Sequence, residues 1–423
     1  MTAAKTARVS DVVAVRSPLA VRDFRLTLTA GFLSDTGDWL LMIALPLYVF
    51  GVTGSALGAS TVFLAELVPA LTLGPFLGVL VDRFDRRRTM VVVNLAQGVA
   101  LLPLLWAAAD PGLLHERLWA VYLVAALEAA LGATFLPARQ SFLPSIVATE
   151  QLTRANGMVS VGDNLSRLIG SPLGGLVFAT GGLGAVVLID CATYLLSAIL
   201  ILLCRAHPVP ASTAADSRGV LRQLVEGWRV VRHTRPLGGL LVIMSIGAIG
   251  QGIFLVLFVV FVVDVLQASD AEVGLFRGVQ AIGGVLGGLV LGLLARRLQT
   301  RALIAWGNVA FGAVALLIWN FAPISSATAV YVGFFIAIGI PAVTATAAEM
   351  SLAQATAPLA ALGRVSSIMQ TSMLAAQGVG LLLAGVLADR FGVLPILDAQ
   401  ALLYLLCGLL ALVLLHERRV DPR

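Results

Sequence analysis

Five ionisable residues stand inside long apolar runs: Asp35, Asp38, Glu66, Glu128 and Arg167. Charge in hydrocarbon is costly, so each is a candidate for chemistry in its own right. Asp35 and Asp38 come about 10 and 13 residues into a run that begins near residue 26, roughly 15–20 Å deep at helical rise. Their i, i+3 spacing places them on one helix face with Gly31, Ser34 and Met42. Glu66 lies near the middle of the second run, Glu128 in the fourth and Arg167 in the fifth. Desolvation disfavours a charged carboxylate and a nearby guanidinium favours it, so a carboxylate balanced between the two can take up and release a proton. On this reading Asp38 or Glu128 takes the proton, and Arg167 alternately pairs with it and releases it. Asp35 and Glu66 are further proton-coupling candidates, and Asp35 is equally a supporting or helix-packing group. The competing reading of all five is a static ion network that fixes helix packing.

The elements that must position these groups follow from composition. The chain has 423 residues, 59% hydrophobic and 12% charged, where a soluble domain carries about a quarter charged residues. Mean hydropathy is +0.97. This is an integral membrane protein of all-α type. A span needs about 20 apolar residues. Twelve runs qualify: 26–50, 57–80, 89–109, 117–137, 155–178, 183–204, 237–263, 272–295, 300–320, 327–348, 363–387 and 393–415. The polar first residues lead into a run without a small-residue cleavage site, so that run reads as a span and not a signal peptide. With a cytoplasmic N-terminus, all 28 Lys and Arg except Arg117, Arg167, Arg277 and Arg390 fall on the cytoplasmic side, as the positive-inside rule requires. The net charge of +5 therefore sets topology and does not point to nucleic acid.

The expected organisation is a cytoplasmic tail (1–25), a six-helix bundle (26–204), a linker (205–236), a second six-helix bundle (237–415) and a cytoplasmic tail (416–423). The linker ends in an amphipathic segment, with Leu221, Leu224, Val225 and Trp228 on one face and Arg218, Arg222, Arg229 and Arg232 on the others; such a segment lies on the inner membrane surface as a tether. The halves repeat at an offset of about 210 residues. Gly78 falls on Gly288, Arg86-Arg87 on Arg296-Arg297, Arg154 on Arg364, and Gly175 and Gly182 on Gly385 and Gly392; Asp190 falls near Asp398. Three cysteines without a C-x-x-C and four histidines without ligand spacing indicate neither a disulfide framework nor a metal site. No cofactor is expected: the single lysine is Lys5 and no phosphate-cradling G-x-x-x-x-G-K-[ST] occurs.

Between the second and third runs lies Gly78-Val-Leu-Val-Asp82-Arg83-Phe84-Asp85-Arg86-Arg87-Arg88. It resembles the signature loop of the major facilitator superfamily, G-x-L-x-D-R-x-G-R-R, through Gly78, Leu80, Asp82, Arg83, Arg86 and Arg87; Asp85 replaces the second glycine. Phe135-Leu-Pro-Ala-Arg-Gln-Ser-Phe-Leu-Pro144 and Leu152-Thr-Arg-Ala-Asn-Gly157 resemble the twelve-span drug:proton antiporters, the macrolide and siderophore exporter group above all. Gly170-Ser-Pro172-Leu-Gly174-Gly175 is similar to the fifth-helix antiporter motif G-P-x-x-G-G, with Ser171 inserted. The resemblance implies a major facilitator fold of 12 transmembrane helices in two six-helix bundles. It also implies a cytoplasmic latch in which Asp82 sits against the start of the eleventh helix near Gly363, with Gly78, Arg83, Arg86 and Arg139 in the same group.

In the second half the polar groups within spans are Gln251, Gln280, Asn308, Gln370 and Gln377, among Phe254, Phe258, Phe311, Phe334, Phe335, Met369 and Met373. Such a surface suits an amphipathic substrate better than a sugar or amino acid, which needs several convergent polar groups. The expected function is proton-driven efflux of amphipathic, drug-like small molecules by alternating access, from a multi-pass, monomeric protein of the plasma membrane whose partners are substrate, protons and lipid. A lysophospholipid or siderophore carrier is the alternative within transport. A non-transporting receptor or scaffold is the alternative outside it, and buried carboxylates argue against that one.

Overall fold

Hydrocarbon cannot satisfy backbone N–H and C=O groups, so apolar runs of this length fold as helices. The computed structural model describes residues 17–73, 84–109, 114–148, 151–205, 228–294, 298–358 and 361–415, and its regular structure is helical throughout. The first half comprises α1 (Arg22–Thr53), α2 (Ala56–Thr72), α3 (Arg86–Ala100), its short continuation α4 (Leu102–Ala108), α5 (Leu114–Ile146) and α6 (Leu152–Leu202). The second comprises α7 (Arg235–Val260, closed by a π-turn over Phe261–Val265), α8 (Asp270–Leu294), α9 (Thr300–Asn320), α10 (Thr328–Thr356), α11 (Leu362–Phe391) and α12 (Val393–Leu414). Ten helical segments are long and apolar enough to cross a membrane, and α2 is a shorter apolar helix of 17 residues. Gly182, at φ 65 and ψ −171, breaks α6 into two spans, which brings the described crossings to twelve.

The 210-residue repeat is visible in the backbone. Gly392, the counterpart of Gly182, also has positive φ (84) and separates α11 from α12. Only glycine adopts such angles without steric cost. By this register the counterpart of the fully buried Asp190 is the fully buried Gln400, not Asp398, which lies at the end of the bundle and accepts from Asn320 at 2.7 Å. Within the first half α1 packs along α6, and within the second α7 packs on α11 and α9 on α12. Two contacts join the halves in matching fashion, α6 on α8 and α2 on α11. Each is a close approach of small residues: a Cβ on Gly175 would strike the backbone of Asp270 and Gly274, and one on Gly385 would lie 2.5 Å from Ser60 Oγ and 3.0 Å from Leu57 Cα. Helices in lipid associate through such backbone proximity, because burial of apolar surface gives little drive there.

Gly78, Asp82 and Arg83 lie outside the described residues, as does most of the linker; residues 228–233 are helical, with Trp228 exposed and Val231 buried. Asp85 N-caps α3, its Oδ1 accepting from the Arg88 N–H at 2.8 Å, so the residue that replaces the motif glycine starts a helix. Arg86 opens that helix, and Arg87 Nε donates to the carbonyl of Ile201 at 3.1 Å, tying α3 to the end of α6. Two spans are longer than their apolar runs. α5 continues to Ile146 and includes Arg139, which the sequence places in a loop; α10 continues to Thr356 and includes Glu349, which the sequence leaves beyond the tenth span. In both, the helix continues along a polar interior face that a hydropathy window cannot follow. Phe254, Phe258 and Phe335, read from sequence as part of a greasy substrate surface, pack instead with Phe261, Phe276, Trp319 and Tyr331 in an aromatic core.

Gly37 on α1 leaves the space that the Asp190 carboxylate and Thr193 occupy. Gly37→Ala should therefore overpack the α1–α6 contact and cost about 1–3 kcal/mol. Thermal unfolding in detergent, followed by tryptophan fluorescence, checks this against Gly132→Ala, where open space surrounds the site; equal melting temperatures for the two variants would contradict the packing described.

Candidate functional site

α1 carries two carboxylates one helical turn apart, and each meets a different partner. The Asp38 carboxylate faces α6, where Tyr194 donates to its Oδ1 at 2.5 Å. The same phenolic oxygen lies 2.9 Å from Glu128 Oε2 on α5. Gln97 of α3 closes the group, its Nε2 donating to Glu128 Oε2 and to the Tyr194 oxygen, both at 3.0 Å. Asp38 is exposed, whereas Tyr194 is 1% exposed and Gln97 5%. Glu128 Oε1 is buried with no hydrogen-bond partner. Glu66 on α2 lies within electrostatic reach of Asp38 and Glu128 and makes no hydrogen bond among the described residues. Asp190 stands one turn before Tyr194, fully buried, its Oδ1 accepting from Thr193 at 3.1 Å.

The proton count in this group is decisive. A phenol has one hydrogen, and here one phenolic oxygen contacts two carboxyl groups. If the phenol donates to Asp38, its contact with Glu128 becomes a hydrogen bond only when Glu128 carries a proton of its own. The trio is complete with one proton beyond the phenol's, and it lacks that proton when both carboxylates are ionised. No Lys or Arg pairs directly with Asp38 or Glu128 among the described residues.

Asp35, one turn earlier on α1, belongs to a second group. Arg139 of α5 donates to Asp35 Oδ2 at 2.9 Å and to both oxygens of Asp163 on α6 at 3.3 and 3.4 Å. Gly31 leaves room for this guanidinium, since a Cβ there would lie 2.8 Å from Arg139 Nη1. The sequence reading set Arg139 beside Asp82; the structure pairs it with Asp35 and Asp163, because α5 runs two turns further than its apolar stretch.

Arg167 also differs from expectation. It faces away from the carboxylates, donating to Gln280 Oε1 of α8 at 2.8 Å with its guanidinium 5.3 Å from the Trp39 ring centre. Arg277, 6% exposed, reaches the same Gln280 oxygen at 3.5 Å and lies 5.1 Å from the Phe254 ring centre. Arg167 thus joins the two halves where the sequence reading made it the carboxylates' partner. The fifth-helix motif frames this contact. Gly170 and Gly174 admit Thr36, Trp39 and Leu40 of α1, Gly175 admits α8, and the Pro172 ring fills the place of a side chain at Gly278.

Sequence reasoning missed Gln97, Asp163, Asp190, Tyr194, Arg277 and Glu349 as site residues. Asn94 with Gln97 and Asp190 with Tyr194 stand at i, i+3 and i, i+4 inside apolar runs, so the spacing used for Asp35 and Asp38 could have found them. Asn94 extends the polar path, donating to Ser197 Oγ at 2.9 Å.

Two six-helix halves joined by α6–α8 and α2–α11, with polar groups facing inward, define a polytopic transporter. The family model described as Major Facilitator Superfamily matches residues 27–267 and 240–423, and the chain belongs to that family. It is 26% identical over 366 residues to macrolide efflux protein A of Streptococcus pyogenes, covering 84% of this chain and 86% of that one. It is 29% identical over 412 residues to the multidrug efflux pump Tap of Mycolicibacterium fortuitum, covering 94% and 96%. A solved bacterial homologue of the iron transporter ferroportin, in an inward-facing state, shares the fold with a TM-score of 0.77 at 18% identity, over 95% of this chain and 100% of that one.

Arg139 is the cation shared by Asp35 and Asp163, and removing one partner of a buried ion group costs about 3–5 kcal/mol. Arg139→Leu should lower the yield of folded protein on size-exclusion chromatography, and adding Asp35→Asn and Asp163→Asn should restore it. Failure of the triple variant to recover would mean that packing of the Arg139 side chain, not charge balance, is what matters.

Proposed function

We propose that the chain exports amphipathic, drug-like small molecules in exchange for protons, by alternating access of its two halves. The observation that carries this reading is the Asp38–Tyr194–Glu128 trio, whose hydrogen bonding is complete only with one added proton. Two relatives named as efflux proteins over most of their length support the direction and the substrate class. Proton uptake at Glu128 or Asp38 fills the trio and removes a charge from the interior, favouring the packing of α1 against α5 and α6. Proton loss leaves two carboxylates against one phenolic hydrogen, favouring separation or hydration of that interface. A proton gradient thereby biases one arrangement of the bundle over another, as a ligand does when it binds two states unequally.

The latch belongs to the same proposal. Asp82 with Gly78, Arg83 and Arg86 would hold the start of α11 in one state and release it in the other. Arg139 is assigned instead to the ion group with Asp35 and Asp163, and Arg167 to the contact between halves. The protein works as a monomer in the plasma membrane, with both termini and the linker on the cytoplasmic side, where the arginine-rich loops hold them.

In everted, energised vesicles carrying a pH-sensitive dye, addition of an amphipathic drug should release protons from the lumen. Glu128→Gln and Tyr194→Phe should each lower that response by about tenfold or more, since each removes a hydrogen bond to a charged group. Wild-type proton movement in both variants would remove the trio from the mechanism. Asp82→Asn should slow transport while leaving insertion and the thermal midpoint unchanged, which drug accumulation in intact cells and unfolding in detergent measure side by side.

A further inference from the structure

The second half holds a carboxylate that the proposed proton path does not use. Glu349 of α10 is 8% exposed, and its Oε1 accepts from Asn308 Nδ2 of α9 at 3.1 Å. Asn308 is itself 4% exposed and is held by a second bond to the carbonyl of Ile304 at 2.9 Å, so its amide is fixed toward Glu349. Asn308 is the one hydrogen-bond partner of Glu349 among the described residues, and no Lys or Arg pairs with it. A buried carboxylate is ordinarily met by a cation or a metal, and the described residues supply neither here.

Beside Glu349 is a cavity of about 260 Å³ walled by α7, α9, α10, α11 and α12. Its lining is mixed in a particular way. Phe311 and Tyr404 present two rings with centroids 4.2 Å apart, and Met373 and Met244 supply adaptable apolar surface. Gln377 adds an amide, and Glu349 is the one charged side chain. Tyr404 is fixed by donating to the Gly247 carbonyl at 3.1 Å, and its ring fits because Gly250 has no Cβ, which would lie 2.8 Å from Cε2. The cavity is near the end of the bundle that carries the linker. Glu349 lies seven residues before the end of α10, about 10 Å at helical rise, and that end packs in one cluster with Val231, Leu237 and Val365.

A single unpaired carboxylate, two fixed aromatic rings and thioether surface make a site for a positive centre carried on an apolar body. Rings attract a desolvated cation through their negative faces, while the carboxylate supplies the compensating charge. An anionic amphiphile would meet Glu349 with no cation to offset it. We infer that this cavity is a recognition site for amphipathic organic cations, with Glu349 as counter-charge, Asn308 as its positioning residue, and Phe311 and Tyr404 as the ring platform. The inference deepens the exporter reading and rests on it for the direction of transport only. Cation recognition falls to the second half and proton exchange to the first, on helices that share no residue.

Equilibrium binding of tritiated tetraphenylphosphonium to the purified full chain in lipid nanodiscs tests this without any proton gradient. The wild type should bind it saturably and should not bind 1-anilinonaphthalene-8-sulfonate at the same site. Glu349→Gln should weaken tetraphenylphosphonium binding by at least about tenfold, the loss expected when one partner of a buried charge pair is removed. Glu349→Asp should fall between the two, and Gly132→Ala, in open space on α5, should stay within about twofold of wild type. Should Glu349→Gln fail to give a monodisperse peak, Gln377→Lys replaces it: an ammonium built into the cavity should displace the ligand. Wild-type binding in either folded variant overturns the inference, as does an absence of saturable cation binding by the wild type, or a loss in Gly132→Ala equal to that in Glu349→Gln. The vesicle experiment on proton release has a separate readout. Its failure would sink proton-coupled export and leave the cation site standing, and normal proton release with unchanged binding in Glu349→Gln would do the reverse.

Discussion

Hydrocarbon offers no hydrogen bonds, and the interior of this chain is arranged around that deficit. Every polar group placed at membrane depth must find its partner within the protein. Arg139 finds Asp35 and Asp163, Asn94 finds Ser197, Trp319 finds Gln400, and Asn308 finds Glu349. These pairs cross from one helix to another, so each also fixes a helix contact. Small residues make the pairings possible. Gly31 makes room for Arg139 and Gly37 for Asp190, and without those gaps α1 could not lie close enough to α5 and α6 for its carboxylates to be met.

The groups left short of partners stand out against this background. The Asp38–Tyr194–Glu128 trio is one hydrogen short when both carboxylates are ionised. Arg167 and Arg277 share one amide oxygen across the contact between halves. Glu349 faces a cavity with the Asn308 amide as its one hydrogen-bond partner among the described residues. A static ion network would be paired as Arg139 is paired. The trio, the two arginines and Glu349 each lack what a second conformation, a proton or a ligand can supply.

Much of the fold was legible in the sequence because its signals are local. Apolar length gives the spans, and glycines at an offset of 210 mark the repeat; Gly182 and Gly392 end helices in the same way because no other residue tolerates those angles. The site was legible only in part. Asp35, Asp38, Glu66 and Glu128 are visible as charges in apolar runs, but which of them meet depends on helix rotation, which one sequence does not encode locally. Asp35 and Asp38 share a face by spacing, yet one turns to α5 and the other to α6. Arg139 and Glu349 were placed outside spans because hydropathy measures contact with lipid, and a helix face turned to the interior can be polar to its end. Tyr194 and Gln97 carry no charge, so a search for intramembrane charge passes over both, although Tyr194 is the atom on which the carboxylates converge.

Coupling between protons and substrate requires that each bind unequally to two arrangements of the same bundle. The two contacts between halves, α6 on α8 and α2 on α11, are where those arrangements must differ. α6 carries Tyr194 beyond its kink and Arg167 before it, so the helix that senses the proton on the proposed reading is continuous with the one that grips Gln280 in the second half. α11 joins α2, which bears Glu66, to a wall of the Glu349 cavity through Met373 and Gln377. Neither path needs direct contact between proton and substrate. It needs only that α6 and α11 each have two packings, and glycine-lined contacts permit that, because small residues bring backbones close without interlocking large side chains. By reciprocity, on the proposed reading a ligand that favours one packing at the second-half cavity changes the proton affinity of the first-half trio by the same factor by which the proton changes the affinity for the ligand.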